Sequence, residues 1–217
     1  MSYDIEVFND NDLNANTYLI SNETSCIIID PANNLKILEK YINNKKVLGI
    51  LITHGHYDHF KCLKELLKKH PTTVYMHEEA HKKMLNPALS YAKMFGCATP
   101  TIIDEDKIKY VKDGTILNLG EFVIKCWYTP GHTNCMMSYI LDDNLFSGDF
   151  IFRGSIGRTD LETSDKSKMF ISVTELKRRK TNYHIYPGHD QDTTLSRELN
   201  ENIYLLEHSK GLIWGNE

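Results

Sequence analysis

Short apolar runs separated by polar turns dominate the first half of the chain. Thr17-Tyr18-Leu19-Ile20 and Cys26-Ile27-Ile28-Ile29 read as strands, with Ser21-Asn22-Glu23-Thr24 between them. The second run stops at Asp30-Pro31. Leu35, Ile37, Leu38, Tyr41 and Ile42 then fall at near-helical spacing. Residues 47–52 form a continuous apolar run of the buried-strand type. Leu63, Leu66 and Leu67 share one face of a helix over 61–70, and 73–76 is a strand. Residues 78–95 read as helix-rich, broken near Asn86-Pro87.

The second half repeats the theme. Strands over 115–119 and 122–128 meet at Gly120-Glu121. Residues 136–141 and 145–146 pair around Asp142-Asp143-Asn144. A helix over 166–176, a short strand over 184–186 and a helix over 195–206 complete the chain. Strand-rich segments with helices outside, once in each half, predict an α/β fold layered as an αββα sandwich. With 217 residues and no dividing linker, residues 1–217 read as a single domain.

Composition narrows the function. The net charge of −4 gives no electrostatic footprint for nucleic acid or an anionic membrane. The basic run Lys177-Arg178-Arg179-Lys180 suits the solvated end of a helix. Five cysteines, an odd number without a C-x-x-C pair, argue against a disulfide framework and for a reducing compartment. Neither a signal peptide nor an apolar run of membrane-spanning length is visible, so the cytoplasm is the expected location.

The chemistry concentrates in His54-Gly55-His56-Tyr57-Asp58-His59, on the loop after the 47–52 strand. Neutral imidazole is the commonest biological metal ligand. Four potential ligands in six residues indicate a metal site. Three later segments share one design, in which a strand ends and a potential ligand sits on the next turn. Thr129-Pro130-Gly131-His132-Thr133 offers His132, Ser147-Gly148-Asp149 offers Asp149, and Tyr186-Pro187-Gly188-His189 offers His189. Glycine before each ligand permits a tight turn.

On these motifs the chain resembles the metallo-β-lactamase superfamily, and more closely its short glyoxalase II-like (hydroxyacylglutathione hydrolase-like) branch. The matching runs are THGHYDH (53–59), TPGHT (129–133), SGDFIF (147–152) and YPGH (186–189), and 153–161 is similar to the stretch after the bridging aspartate in short members. The resemblance implies two mixed sheets flanked by helices and two divalent metal ions per chain. His54, His56 and His132 would hold the first ion, and Asp58, His59 and His189 the second, with Asp149 bridging. Zinc heads the expected metals, with iron or manganese as alternatives, since the mixed N/O donor set suits all three.

The implied reaction is hydrolysis of a small-molecule thioester such as S-lactoylglutathione, by a hydroxide held between the metals. Asp58 would orient or accept its proton. Arg153 could pair with a substrate carboxylate, whereas Arg158 and Cys135 read as structural. Two alternatives stay open: a lactonase or other hydrolase on the same core, and a persulfide dioxygenase-like enzyme with one iron on His54, His132 and Asp149. Full-length glyoxalase II carries a helical C-terminal domain that contacts glutathione; here 28 residues follow His189 (217 minus 189), too few for a counterpart.

Overall fold

The computed structural model describes residues 2–9, 14–206 and 214. Two six-stranded sheets make up its centre. The first runs β1 (Asp4–Phe8), β2 (Thr17–Ser21), β3 (Ser25–Ile29), β4 (Lys46–Leu51), β5 (Val74–Met76) and β6 (Ile108–Tyr110), in that order across the sheet. β1, β2 and β3 pair antiparallel; β3 to β6 run parallel.

The second sheet contains β7 (Ile116–Leu119), β8 (Phe122–Tyr128), β9 (Met137–Leu141), β10 (Asn144–Gly148), β13 (His184–Pro187) and β14 (Thr193–Thr194). It is also mixed, since β10 and β13 are parallel and the other neighbours antiparallel. A small hairpin, β11 (Ile151–Phe152) and β12 (Ser155–Ile156), projects between β10 and β13 in sequence.

Helices α1 (Leu35–Ile42), α2 (Leu63–Lys69) and α3 (Glu78–Met84) belong to the first half; α4 (Lys166–Lys177) and α5 (Leu195–Glu201) belong to the second. The strand alternation explains the layering. On β3, Ile27 and Ile29 face the second sheet, where they meet Tyr139, Phe146 and Leu117. Cys26 and Ile28 face the other way, onto Leu38, Leu63 and Leu66 of α1 and α2. On β9, Ile140 points outward to Met169 and Val173 of α4. The central strands β2, β3, β9 and β10 are therefore covered on both faces and read as continuous apolar runs, whereas β7 and β8 alternate and leave Ile116 and Val123 exposed. Each aliphatic side chain buried this way contributes about 1.5–3 kcal/mol. This is the expected αββα sandwich.

Two departures from the sequence reading have local causes. The last helix stops at Glu201, short of the expected 206. The Asn202 carboxamide oxygen accepts from Tyr204 N, and its backbone turns extended. Asparagine offers the backbone this alternative to the helix. The 78–95 region is helical only to Met84; Ala92–Phe95 is a single 3-10 turn. Residues 207–213 and 215–217 of the C-terminal tail lie outside the described residues.

Two inter-sheet bonds fix the end of β4. Met137 N donates to Thr53 O at 2.8 Å, and the buried Tyr139 hydroxyl donates to Ile52 O at 2.8 Å. They hold the root of the 54–59 loop against the second sheet.

Candidate metal centre

Strand ends build the site. β4 leads into His54, His56, Asp58 and His59; β8 leads into His132, β10 into Asp149 and β13 into His189. Because β3, β4, β10 and β13 present the same end to one edge of the sandwich, ligands 135 residues apart in sequence (189 minus 54) meet there.

The seven residues form overlapping groups whose ligand atoms lie within 4.8 Å of one another: His54, His56 and His132; His54, His59 and Asp149; Asp58, His59 and His189. In the first group, His54 Nε2 and His132 Nε2 each lie 3.0 Å from His56 Nδ1. In the last, His189 Nε2 is 3.3 Å from Asp58 Oδ2, and His59 Nε2 is 3.6 Å from the same oxygen. Asp149 stands between the groups. Its Oδ1 is 3.3 Å from His59 Nε2, and its Oδ2 is 3.5 Å from His132 Nε2 and 3.6 Å from His189 Nε2.

Outer partners settle which ring nitrogens carry hydrogen. His132 Nδ1 faces the carbonyl oxygen of Arg158 at 3.0 Å, and His189 Nδ1 faces that of Asn14 at 3.1 Å. A carbonyl only accepts, so both Nδ1 atoms are protonated and both Nε2 lone pairs point inward. Thr53 donates its hydroxyl to Asp30 Oδ2 at 2.5 Å, leaving its oxygen to accept from His54 Nδ1 at 3.0 Å. His54 Nε2 therefore also brings a lone pair. Two lone pairs thus converge on His56 Nδ1, and one proton there could serve only one of them; a metal ion satisfies all three nitrogens.

Electrostatics separate the two groups. Burial pushes His54 and His132 below the ordinary imidazole range and His56 down to about 3, so all three are neutral donors. For His59, burial opposes the charged form, but Asp149, Asp58 and Asp30 outweigh it and raise the pKa well above normal. Asp149 is buried too, yet His59 and His189 hold its carboxyl well below its usual range. The second group therefore favours a cation. Buried atoms without a hydrogen-bond partner include His56 Nε2, His59 Nε2 and Asp149 Oδ1. Orphaned donors and acceptors of this kind fit a metal-binding role for two of them, His59 Nε2 and Asp149 Oδ1.

Asp30 belongs to the site, and the sequence reading passed it over. Its carboxylate accepts from Thr53 N, Thr53 Oγ1 and His59 Nδ1, the last at 2.8 Å. It fixes the His59 ring so that Nε2 faces Asp58 and Asp149. The signal was present, because Asp30 follows β3 as Asp149 follows β10.

The remaining candidates fall outside the cluster. Arg153 lies on the turn of the β11–β12 hairpin, exposed, and donates to Gln191 Oε1 at 2.6 Å. Arg158 pairs in bidentate fashion with Asp160 on the surface. Cys135 is buried, its thiol is pushed up by that burial, and its sulfur accepts from Gly55 N. Arg179, in the basic run, stacks over the Trp127 ring at 4.1 Å. Among the described residues no helix is long and apolar enough to cross a membrane.

Comparison with known proteins agrees with this architecture. The chain is 30% identical over 198 residues to the probable metallo-hydrolase YqgX of Bacillus subtilis, covering 89% of this chain and 93% of that protein. It is 29% identical over 186 residues to a hydroxyacylglutathione hydrolase of Francisella tularensis subsp. novicida, of which it spans 66%. Among solved structures, the BLEG-1 B3 metallo-β-lactamase superposes with a TM-score of 0.83 at 26% identity, covering 93% of this chain and 99% of that one. TTHA1623, solved in a di-iron-bound form, superposes at 0.78 and 26% identity, covering 91% and 98%. Residues 10–189 match the metallo-beta-lactamase superfamily, and the chain belongs to that family.

Proposed function

We propose that this chain is a dinuclear metal-dependent hydrolase, and that its substrate is a small-molecule thioester of the kind glyoxalase II cleaves. The observation that carries the reading is the pair of convergent ligand groups sharing Asp149. In this reading His54, His56 and His132 would hold one ion and Asp58, His59 and His189 the other, with Asp149 available to both. Zinc suits this donor set, with iron or manganese as competitors. Divalent ions held there would lower the pKa of a bound water toward neutrality and polarise a substrate carbonyl.

The chain's own residues do the rest. Asp58 is the most solvent-accessible carboxylate of the cluster, with 19% of its side chain exposed against 9% for Asp149. It can orient a water and accept its proton. His132 and His189 are locked by Arg158 O and Asn14 O, so their Nε2 atoms cannot rotate away. A thiolate leaves without strong acid assistance, because the thiol pKa is about 8.5. The rim carries Phe152, 6.2 Å from His189, and Arg153, whose guanidinium donates to the neutral amide oxygen of Gln191. Arg153 is thus available to a substrate carboxylate. Hydroxyacylglutathione hydrolase relatives support the thioester class. We read the enzyme as one domain acting in the cytoplasm.

A one-iron oxygenase on His54, His132 and Asp149 would leave Asp58, His59 and His189 without a task. The test is one sample assayed against S-lactoylglutathione, other acyl thioesters and lactones, with metal content and oxygen uptake measured together. Two metals, thioester turnover and no oxygen uptake are expected. One iron with oxygen consumption overturns the reading. His56→Ala and Asp149→Ala should each bring turnover to background while circular dichroism stays native.

A further inference from the structure

His189 is the most exposed imidazole of the cluster, with 23% of its side chain accessible where His54 and His59 have none. Packing alone therefore constrains it least. What holds it is a segment from the other end of the chain. Asn16 N donates to Gly188 O at 2.7 Å, and Ala15 forms an antiparallel bridge with His189. The Asn16 carboxamide donates to Pro187 O and Asp190 O, both at 2.9 Å, and the Tyr18 hydroxyl also donates to Pro187 O. Asn14 supplies the carbonyl that receives His189 Nδ1–H.

Two features mark this as a built device. Asn16 is almost fully buried, and its side-chain nitrogen spends its hydrogens on the turn that carries one ligand. Asn14 sits at φ +51, in the left-handed region, which asparagine tolerates better than other non-glycine residues. That backbone aims its carbonyl at the imidazole. The first-group ligand His132 is held instead by Arg158 O, 26 residues away within the second half.

We propose that Asn14 and Asn16 are positioning residues for His189, so that the segment leading into β2 sets occupancy of the second metal position selectively. The inference rests on the two-metal reading above. Loss of an outer partner of a ligating histidine typically weakens metal binding about 10–100-fold. Among the described residues, His54, His56 and His132 make none of these contacts.

The test loads wild type, Asn16→Ala, Asn14→Val and Asn14→Gly with Zn(II), dialyses them identically against a weak chelator and counts retained ions. Thermal unfolding of each metal-free protein is recorded alongside. Wild type should keep two ions and Asn16→Ala one, with the weaker of two titration steps shifted about 10–100-fold. Asn14→Val, which disfavours the left-handed backbone, should behave like Asn16→Ala, whereas Asn14→Gly should keep both ions. Should Asn16→Ala fail to fold, the two Asn14 variants carry the test. Equal weakening of both steps, or two ions in every variant, overturns the proposal. A wild type that binds only one ion overturns the two-metal reading itself and this inference with it.

Discussion

His59 Nδ1 lies 2.8 Å from Asp30 Oδ2, and both side chains are buried behind the metal-facing edge. Twenty-nine residues separate them (59 minus 30), and the contact exists because β3 and β4 are parallel neighbours whose ends coincide. The aspartate takes the Nδ1 hydrogen, which leaves Nε2 as the nitrogen His59 can offer to a metal ion. Asp30→Asn should therefore lower metal affinity about 10–100-fold while every direct ligand stays in place. Competition with a chromophoric chelator measures it, and unchanged affinity would remove Asp30 from the site.

Gly188 is a steric requirement of the centre. A Cβ there would lie 2.2 Å from Asp149 Oδ1 and 2.8 Å from His59 Cε1. Gly188→Ala should displace the shared carboxylate and cut both metal content and turnover without altering any ligand. Overpacking of this kind costs about 1–3 kcal/mol of stability. Normal metal content in the purified variant would show that the carboxylate can yield at no cost.

Glu198 is fully buried on α5. Its carboxylate accepts from Gly154 N, Thr193 Oγ1, Arg197 Nη1 and Asn202 Nδ2. Gly154 forms the turn of the hairpin that carries Phe152 and Arg153, so one side chain ties that rim to α5. Glu198→Ala leaves the buried Thr193 hydroxyl without its acceptor and removes the Gly154 and Asn202 anchors, and should destabilise the fold by about 1–3 kcal/mol, read by urea unfolding. Because the rim loosens, KM should rise more than kcat falls.

Tyr3 donates to Asp142 Oδ2 at 3.0 Å, tying β1 to the β9–β10 turn far from the centre. Burial first, then the Asp142 carboxylate, raises its pKa to about 12 from the ordinary 10.0. The folded state thus holds the proton more tightly than the unfolded state. The stabilisation is fully present below pH 10 and is lost as pH rises toward 12. Between those values wild type should lose stability faster than Tyr3→Phe, in unfolding curves collected across the range. Parallel slopes for the two proteins would contradict this.

The sequence by itself determined a good deal. The six-residue histidine run and the three strand-then-glycine-then-ligand turns named the seven residues that converge, because metal-binding side chains are chemically distinct and sit on short loops after apolar strands. Continuous apolar runs at β3 and β9 announced strands covered on both faces, which the sandwich provides. Short pieces were not legible. β1, β6 and the β11–β12 hairpin are too short to show a periodicity and exist through pairing with neighbours. Only the tertiary structure decided which outer groups orient the ligands. Asp30, Asn14, Asn16 and Glu198 look like ordinary polar residues in sequence. Their roles come from parallel strand ends and a chain whose start lies against its last ligand turn, contacts set by long-range packing rather than by any local pattern.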